Sequence, residues 1–233
     1  EHTEVVAMVE RAFDGIGRGV VHDRRDAREA RGATAFLERD TEQTQVAVGG
    51  IGISRKDERR FALAVADQII GGGAASRFWQ EIRERRGLVY SVYTYVSSFD
   101  EAGQVGFALG TRPDNLDEAL TIAGAELADL AAGNFRDGEI ERARDNLKAR
   151  LLLTMDSTVA RMSRLGRSLI SDLPLLDDAE IARLIDAVTP ADVQAVISEL
   201  FDPATLCVAG IGSDRAAFDR ALDAFRSPVR GAA

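Results

Sequence analysis

The stretch Ser76 to Val92 reads SRFWQEIRERRGLVYSV, and it sets an arginine at 83 seven residues before a tyrosine at 90. A guanidinium is permanently charged, and a neutral phenol donates a hydrogen bond. Held together, the two could grip a carbonyl or stabilise an oxygen that gains negative charge. The spacing permits this. Arg83 falls on an expected helix and Tyr90 on an expected strand, with Gly87 at the turn between them. Helical arginines and strand tyrosines are also common surface residues, so residue types alone leave the pair's chemistry open.

Immediately upstream lie Gly71, Gly72 and Gly73. A phosphate-binding P-loop needs Lys and then Ser or Thr after its last glycine, whereas Gly73 is followed by Ala74 and Ala75. A dinucleotide fingerprint needs G-x-G-x-x-G between a strand and a helix, and these glycines lie between two expected helices. Two readings survive: a helix cap with a flexible corner, or a glycine-rich loop that touches a polymeric ligand.

Metal and nucleophile chemistry find little support within the chain. His2 and His22 are the only histidines, and neither H-E-x-x-H nor H-x-x-E-H occurs. Cys207, between Leu206 and Val208, reads as a small apolar residue of a buried strand. Asp114, Asp117 and Asp137 stand at expected helix starts, where negative charge suits the helix dipole. Arg161, Arg164 and Arg167 step by three along one helix and read as a solvated face.

These residues must be positioned by the surrounding elements. Thr3 is placed to cap a first helix with Val5, Met8, Val9 and Phe13 on one side. Residues 18–34 are charged and aperiodic, as a linker would be. AFLERD and TQVAVGGIGI read as strands, and DERRFALAVADQII as a helix with Gly71 at its left-handed C′ position. A second helix spans Ser76 to Arg86. LVYSVYTYVSSF and GQVGFALG form a β-hairpin across a short polar turn. Three helices follow, starting at Asp114, Asp137 and Ser157. Pro190 then opens another behind Thr189, before a late strand TLCVAGIG and a helix over residues 215–225. Strand and helix do not alternate throughout. The expected class is α+β, with a mainly antiparallel sheet and helices packed on one face.

Bulk properties narrow the partners. The net charge of −9 and pI near 4.9 oppose general binding to nucleic acid. No apolar run approaches the ~20 residues that span a bilayer. A single cysteine allows no internal disulfide and gives no sign of an oxidising compartment, which points to a cytoplasmic protein. Of 29 basic residues only Lys56 and Lys148 are lysines, a bias of GC-rich bacterial genes.

The stretch SRFWQEIRERRGLVYSV closely resembles the second-domain signature of the inverted-motif zinc peptidases, the family of mitochondrial processing peptidase, pitrilysin and insulin-degrading enzyme. Supporting similarity runs through GGG, GTRPDNLDEAL, EIERARDNLKARLLLTMDSTVARMSRLGR and VTPADVQAV, nearly the whole chain. The resemblance implies an α+β domain that closes over a peptide opposite a zinc-bearing domain, as the halves of a clamshell. Arg83 and Tyr90 would meet the substrate carbonyl, with Gly71, Gly72 and Gly73 as weaker candidates for substrate contact. Residues 1–33 would be the last helix of a preceding domain plus a linker, residues 34–228 the substrate-side domain, and 229–233 a tail. The zinc motif is absent from this chain. Zinc is therefore expected on an upstream peptidase domain or a zinc-bearing partner subunit, within a homodimer or heterodimer, and this chain alone should not hydrolyse peptides. Trp79, where relatives carry Phe or Leu, is expected to be a packing variation. The family also contains members that have lost catalysis and serve as scaffold subunits; retention of both Arg83 and Tyr90 argues against that alternative.

Overall fold

The computed structural model describes residues 1–17, 19–20 and 31–227. Most of the expected linker and the tail 229–233 lie outside the described residues. A first helix, α1 (His2–Phe13), carries its apolar stripe as expected, but Glu1 and Glu4 form its capping box in place of Thr3, and none of its residues is buried.

Among the described residues the sheet has five strands: β1 (Thr34–Glu38), β2 (Thr44–Gly52), β3 (Val89–Ser98), β4 (Gly103–Thr111) and β5 (Cys207–Gly212). Their spatial order is β1-β5-β2-β4-β3, so β1 and β3 are edges. The β2–β4, β2–β5 and β3–β4 pairs are antiparallel, while β1 and β5 run parallel. The sheet is thus mixed, and the antiparallel expectation holds for three of the four pairs.

One face of the sheet carries the core. Val46, Val48, Val105, Phe107, Leu109 and Val208 point into it and are buried, as strand alternation requires. Against this face pack α2 (Arg60–Ile70), α3 (Leu116–Ala131), α4 (Glu139–Met155), α7 (Pro190–Leu200) and α8 (Arg215–Arg226), together with α6 (Asp178–Asp186) beyond α4. Helix α5 (Thr158–Ile170) follows α4 and buries no residue. Phe107 stands edge-on to Phe78 at 4.9 Å and to Phe225 at 5.8 Å, tying the sheet to the segment before Arg83 and to α8. On the opposite face small residues dominate, and Tyr95 lies across Gly49 and Gly106, donating its hydroxyl to the Val48 carbonyl at 3.1 Å. Cys207 belongs to this less covered face and is half-buried, not a core residue.

Several start signals differ from expectation. Asp114 sits in a 3-10 turn (Pro113–Asn115), and Asn115 takes the cap position of α3. Gly138, at φ 67°, takes the cap of α4 in place of Asp137. Ser157 and Thr189 do cap α5 and α7, accepting from the amides of Ala160 and Asp192. Helix α6 escaped the sequence reading, although Asp177 and Glu180 form a capping box there.

Candidate functional site

The helix expected from Ser76 is not an α-helix where it matters. Trp79–Glu84 is a π-helical turn, in which the Arg85 amide reaches back five residues to the Gln80 carbonyl. Such turns carry one residue too many for α geometry and recur at functional sites. Gly87 closes the segment at φ +61°, a conformation that glycine adopts without strain.

The inward side of this turn is held by charge. Arg77 is 1% exposed, and each of its five N–H groups has an acceptor. Nε and Nη2 bind Glu139 at 2.8 and 2.9 Å, Nη1 binds Asp129 at 2.7 Å and Glu126 at 3.1 Å, and Nη2 also reaches the Asn134 carbonyl at 2.6 Å. Burial alone would lower the Arg77 pKa, but the bonds it donates to Glu139 and Asp129 hold it above its ordinary value. Burial pushes the Glu126 carboxyl up, only partly opposed by Arg136 and Arg77. Glu81, one turn on, is also buried; Arg85, Arg86 and Arg136 bind it at 2.8, 3.0 and 3.0 Å. Burial raises its pKa, yet Arg86, Arg136 and Arg85 prevail and hold the carboxyl below its ordinary range. These charges anchor the turn to α3 and the α3–α4 corner.

The outward side presents Arg83. Its guanidinium carbon lies 3.8 Å from the centre of the Trp79 ring and 5.8 Å from that of Tyr90. A cation over an aromatic face is attracted by the ring quadrupole, so Trp79 orients Arg83 directly and is more than a packing variation. Tyr90 is 81% exposed on the edge strand β3. Pairing between β3 and β4 steps from Val89↔Thr111 to Ser91↔Gly110, which leaves Tyr90 as the extra residue of a bulge. Bulges re-aim a side chain. The strand entry is fixed by Thr111, whose hydroxyl donates to the Leu88 carbonyl at 2.5 Å. Arg83 and Tyr90 thus share one open corner, where Arg83 pairs with its exposed neighbour Glu84 at 3.4 Å, while the arginines at 77, 85 and 86 bind the buried carboxylates of Glu139 and Glu81.

The glycine corner lies elsewhere along the same strand. Gly71 has φ −153°, not the left-handed value expected. Its lack of a side chain answers a close approach: a Cβ there would lie 2.7 Å from Thr94 Cγ2 and 2.8 Å from Thr94 N. Thr94 is four residues past Tyr90, about 13 Å along a strand. Gly72 accepts from Arg150 at 3.1 Å, and Gly73 lines a cavity of about 260 Å³ with Gln68, Ser76, Arg142, Asn146 and Arg150. Nearby, burial raises the Asp67 carboxyl pKa despite Thr94 and Arg150.

Among the described residues no three His, Cys, Asp or Glu side chains form a group that could hold a metal ion. His2 stands on the exposed α1, and His22 lies outside the described residues. The described part of this chain does not fit a zinc ion. No helix in it is long and apolar enough to cross a membrane.

An uncharacterized zinc protease of Streptomyces coelicolor is 36% identical over 211 residues, which cover 86% of this chain and 45% of that protein. A solved structure described as a peptidase M16 inactive domain, from Pseudomonas fluorescens, superposes with a TM-score of 0.83 at 22% identity, covering 93% of this chain and 52% of that one. A chain of complex III2 from Candida albicans shares the fold at TM-score 0.81 and 18% identity, over 97% of this chain and 56% of that one. The chain spans about half the length of the relatives it matches. The sequence model described as the peptidase M16 inactive domain matches residues 1–147. This chain belongs to the peptidase M16 inactive-domain family.

Proposed function

We propose that this chain is the substrate-side lobe of a zinc endopeptidase, closing over an extended peptide opposite a lobe that carries the metal. The observation that carries this reading is the Arg83–Tyr90 corner: a guanidinium 5.8 Å from the ring of an exposed tyrosine, on the bulge of an edge strand. Tyr90 donates its hydroxyl to the scissile carbonyl oxygen, and Arg83 adds positive charge beside it as that oxygen gains negative charge. Trp79 stacks under the guanidinium, and Glu84 pairs with its Nη1 at 3.4 Å.

Strand β3 supports the same reading. Among the described residues its outer edge carries no partner strand, and an extended peptide adds to such an edge through main-chain hydrogen bonds. Running past Tyr90, the peptide would next meet Thr94 and the glycine corner. Gly71 keeps side-chain bulk away from Thr94 on that part of the strand.

The test joins the chain to its zinc-bearing lobe and follows cleavage of an unstructured peptide. Loss of one oxyanion donor lowers kcat by about 10²–10³-fold, and that is the expected effect of Tyr90→Phe. Arg83→Ala should also reduce turnover. Full turnover in both variants sinks the assignment and favours a scaffold role.

A further inference from the structure

Helix α5 is built the wrong way round for a helix of an isolated domain. An ordinary surface helix turns its apolar stripe to the core and its charges to water. Here Val159, Met162, Leu165, Leu169 and Ile170, which fall on one side at helical spacing, are between 45% and 86% exposed. The opposite side holds the polar residues. Arg161 Nε donates to the Met155 carbonyl at 2.5 Å, Arg164 Nη2 lies 3.0 Å from Asp178, and Ser163 and Arg167 line a cavity of about 640 Å³ against β3. At the end of α4, Leu152 and Leu153 are exposed as well. Together these seven side chains open on the order of 800 Å² to solvent, the size of one side of a standard protein interface, and larger than most monomers leave uncovered.

We propose that the outward face of α5, with Leu152 and Leu153, is the surface on which the zinc-bearing lobe seats. This rests on the reading above that another lobe supplies the metal. Two observations select that occupant. The relatives carry about as much chain again as is matched here, 211 residues being 45% of the Streptomyces coelicolor protein. And α5 borders the strand that bears Tyr90: Val96 and Ser98 of β3 and Ala160 and Ser163 of α5 line one cavity. Val96 lies six residues past Tyr90, about 20 Å along the strand, and a lobe of about 200 residues is about 40 Å across, so one that stands over Tyr90 and Arg83 is large enough to reach α5. A second copy of this chain, whose described residues form no metal-holding group, would leave that corner unserved.

The experiment mixes this chain with the zinc-bearing lobe made as a separate polypeptide and measures association by calorimetry and sedimentation. Met162→Glu with Leu169→Glu, both at exposed positions, should leave the far-UV spectrum and urea midpoint of the chain unchanged and weaken association by about a hundredfold or more. Tyr90→Phe, on the β3 edge, should leave association intact, so the surface and the catalytic reading fail separately. Unchanged association in the double variant, or no association of the unaltered chain, overturns the proposal. So does self-association of this chain that the double variant abolishes, because the face would then belong to a second copy.

Discussion

Replacing Arg77 by methionine tests whether buried charge holds the Arg83–Tyr90 corner. Methionine replaces the apolar stem and has no donors, so the substitution keeps most of the stem's packing and removes all five hydrogen bonds. Glu139 then loses its bidentate partner, and Glu126 keeps only Arg136. Breaking a buried ion pair from one side costs about 3–5 kcal/mol, because the remaining charge is left uncompensated. For a domain of this size each kcal/mol lowers the melting midpoint by about 2–4 °C, so the expected drop is roughly 6–20 °C. Lysine should rescue only part of it, having three donors and no planar fork. The loss should depend on pH with a definite sign. Burial pushes the Asp129 carboxyl up, but bonds from Asn134 and Arg77 hold it below its ordinary value. A depressed carboxylate stabilises the fold above its unfolded value of 3.8 and loses that contribution as pH falls through the folded value. The gap between the native chain and the Arg77→Met variant should therefore narrow below about pH 4. Urea unfolding at pH 7 and at pH 3.5, followed by circular dichroism, measures both. A loss under 1 kcal/mol at pH 7, or a gap that widens in acid, would refute the reasoning.

Trp79→Ala removes the ring under Arg83; it should cost about 0.5–1 kcal/mol of stability, and under the proposed function, with the chain joined to a zinc-bearing lobe, it should lower turnover with little change in KM for the peptide. Gly71→Ala places a methyl against the Thr94 backbone, which should destabilise by about 1–3 kcal/mol, and Thr94→Ala, which clears only the side-chain part of the clash, should recover part of that loss in a thermal melt. Asp67 has its carboxyl pKa raised by burial, and its Oδ1 is buried without a partner among the described residues. A raised carboxylate costs stability as pH climbs through and above 3.8, so Asp67→Asn should raise the urea midpoint at pH 7 and leave it unchanged near pH 3.

The sequence carried the architecture where one signal dominated. Leu116, Leu120, Ala123, Leu127 and Leu130 of α3 were legible as a buried stripe because helical period and burial coincide there. The hairpin of β3 and β4 was legible for the same reason at period two. Helix starts were less legible, since Asp114 and Asp137 lie beside other good capping residues and local backbone geometry chose between them. The parallel β1–β5 pair joins segments some 170 residues apart, and no local pattern encodes such a pairing. At the candidate site, spacing allowed Arg83 and Tyr90 to meet but did not show what fixes them. The partners of Arg77 come from α3 and the α3–α4 corner, about 50–60 residues away. The π-turn has no sequence signature of its own, and the reversed face of α5 was read as solvated arginines because periodicity gives a stripe without telling which side faces the core.

The π-turn also makes the open corner a matter of counting. Upstream, Arg77 and Phe78 lock the segment to its neighbours; downstream, Gly87 and the bulge lock it to β3. Between those fixed ends there is room for one residue more than an α-helix would hold. A homologue without the extra residue could close the same gap as an α-helix and keep the same sheet and core. A residue lost before the arginine leaves it in step with Gly87 and the tyrosine, whereas one lost after it moves the arginine one position, about 100° around the axis, so where a deletion falls in this half-dozen residues decides whether the two side chains still meet.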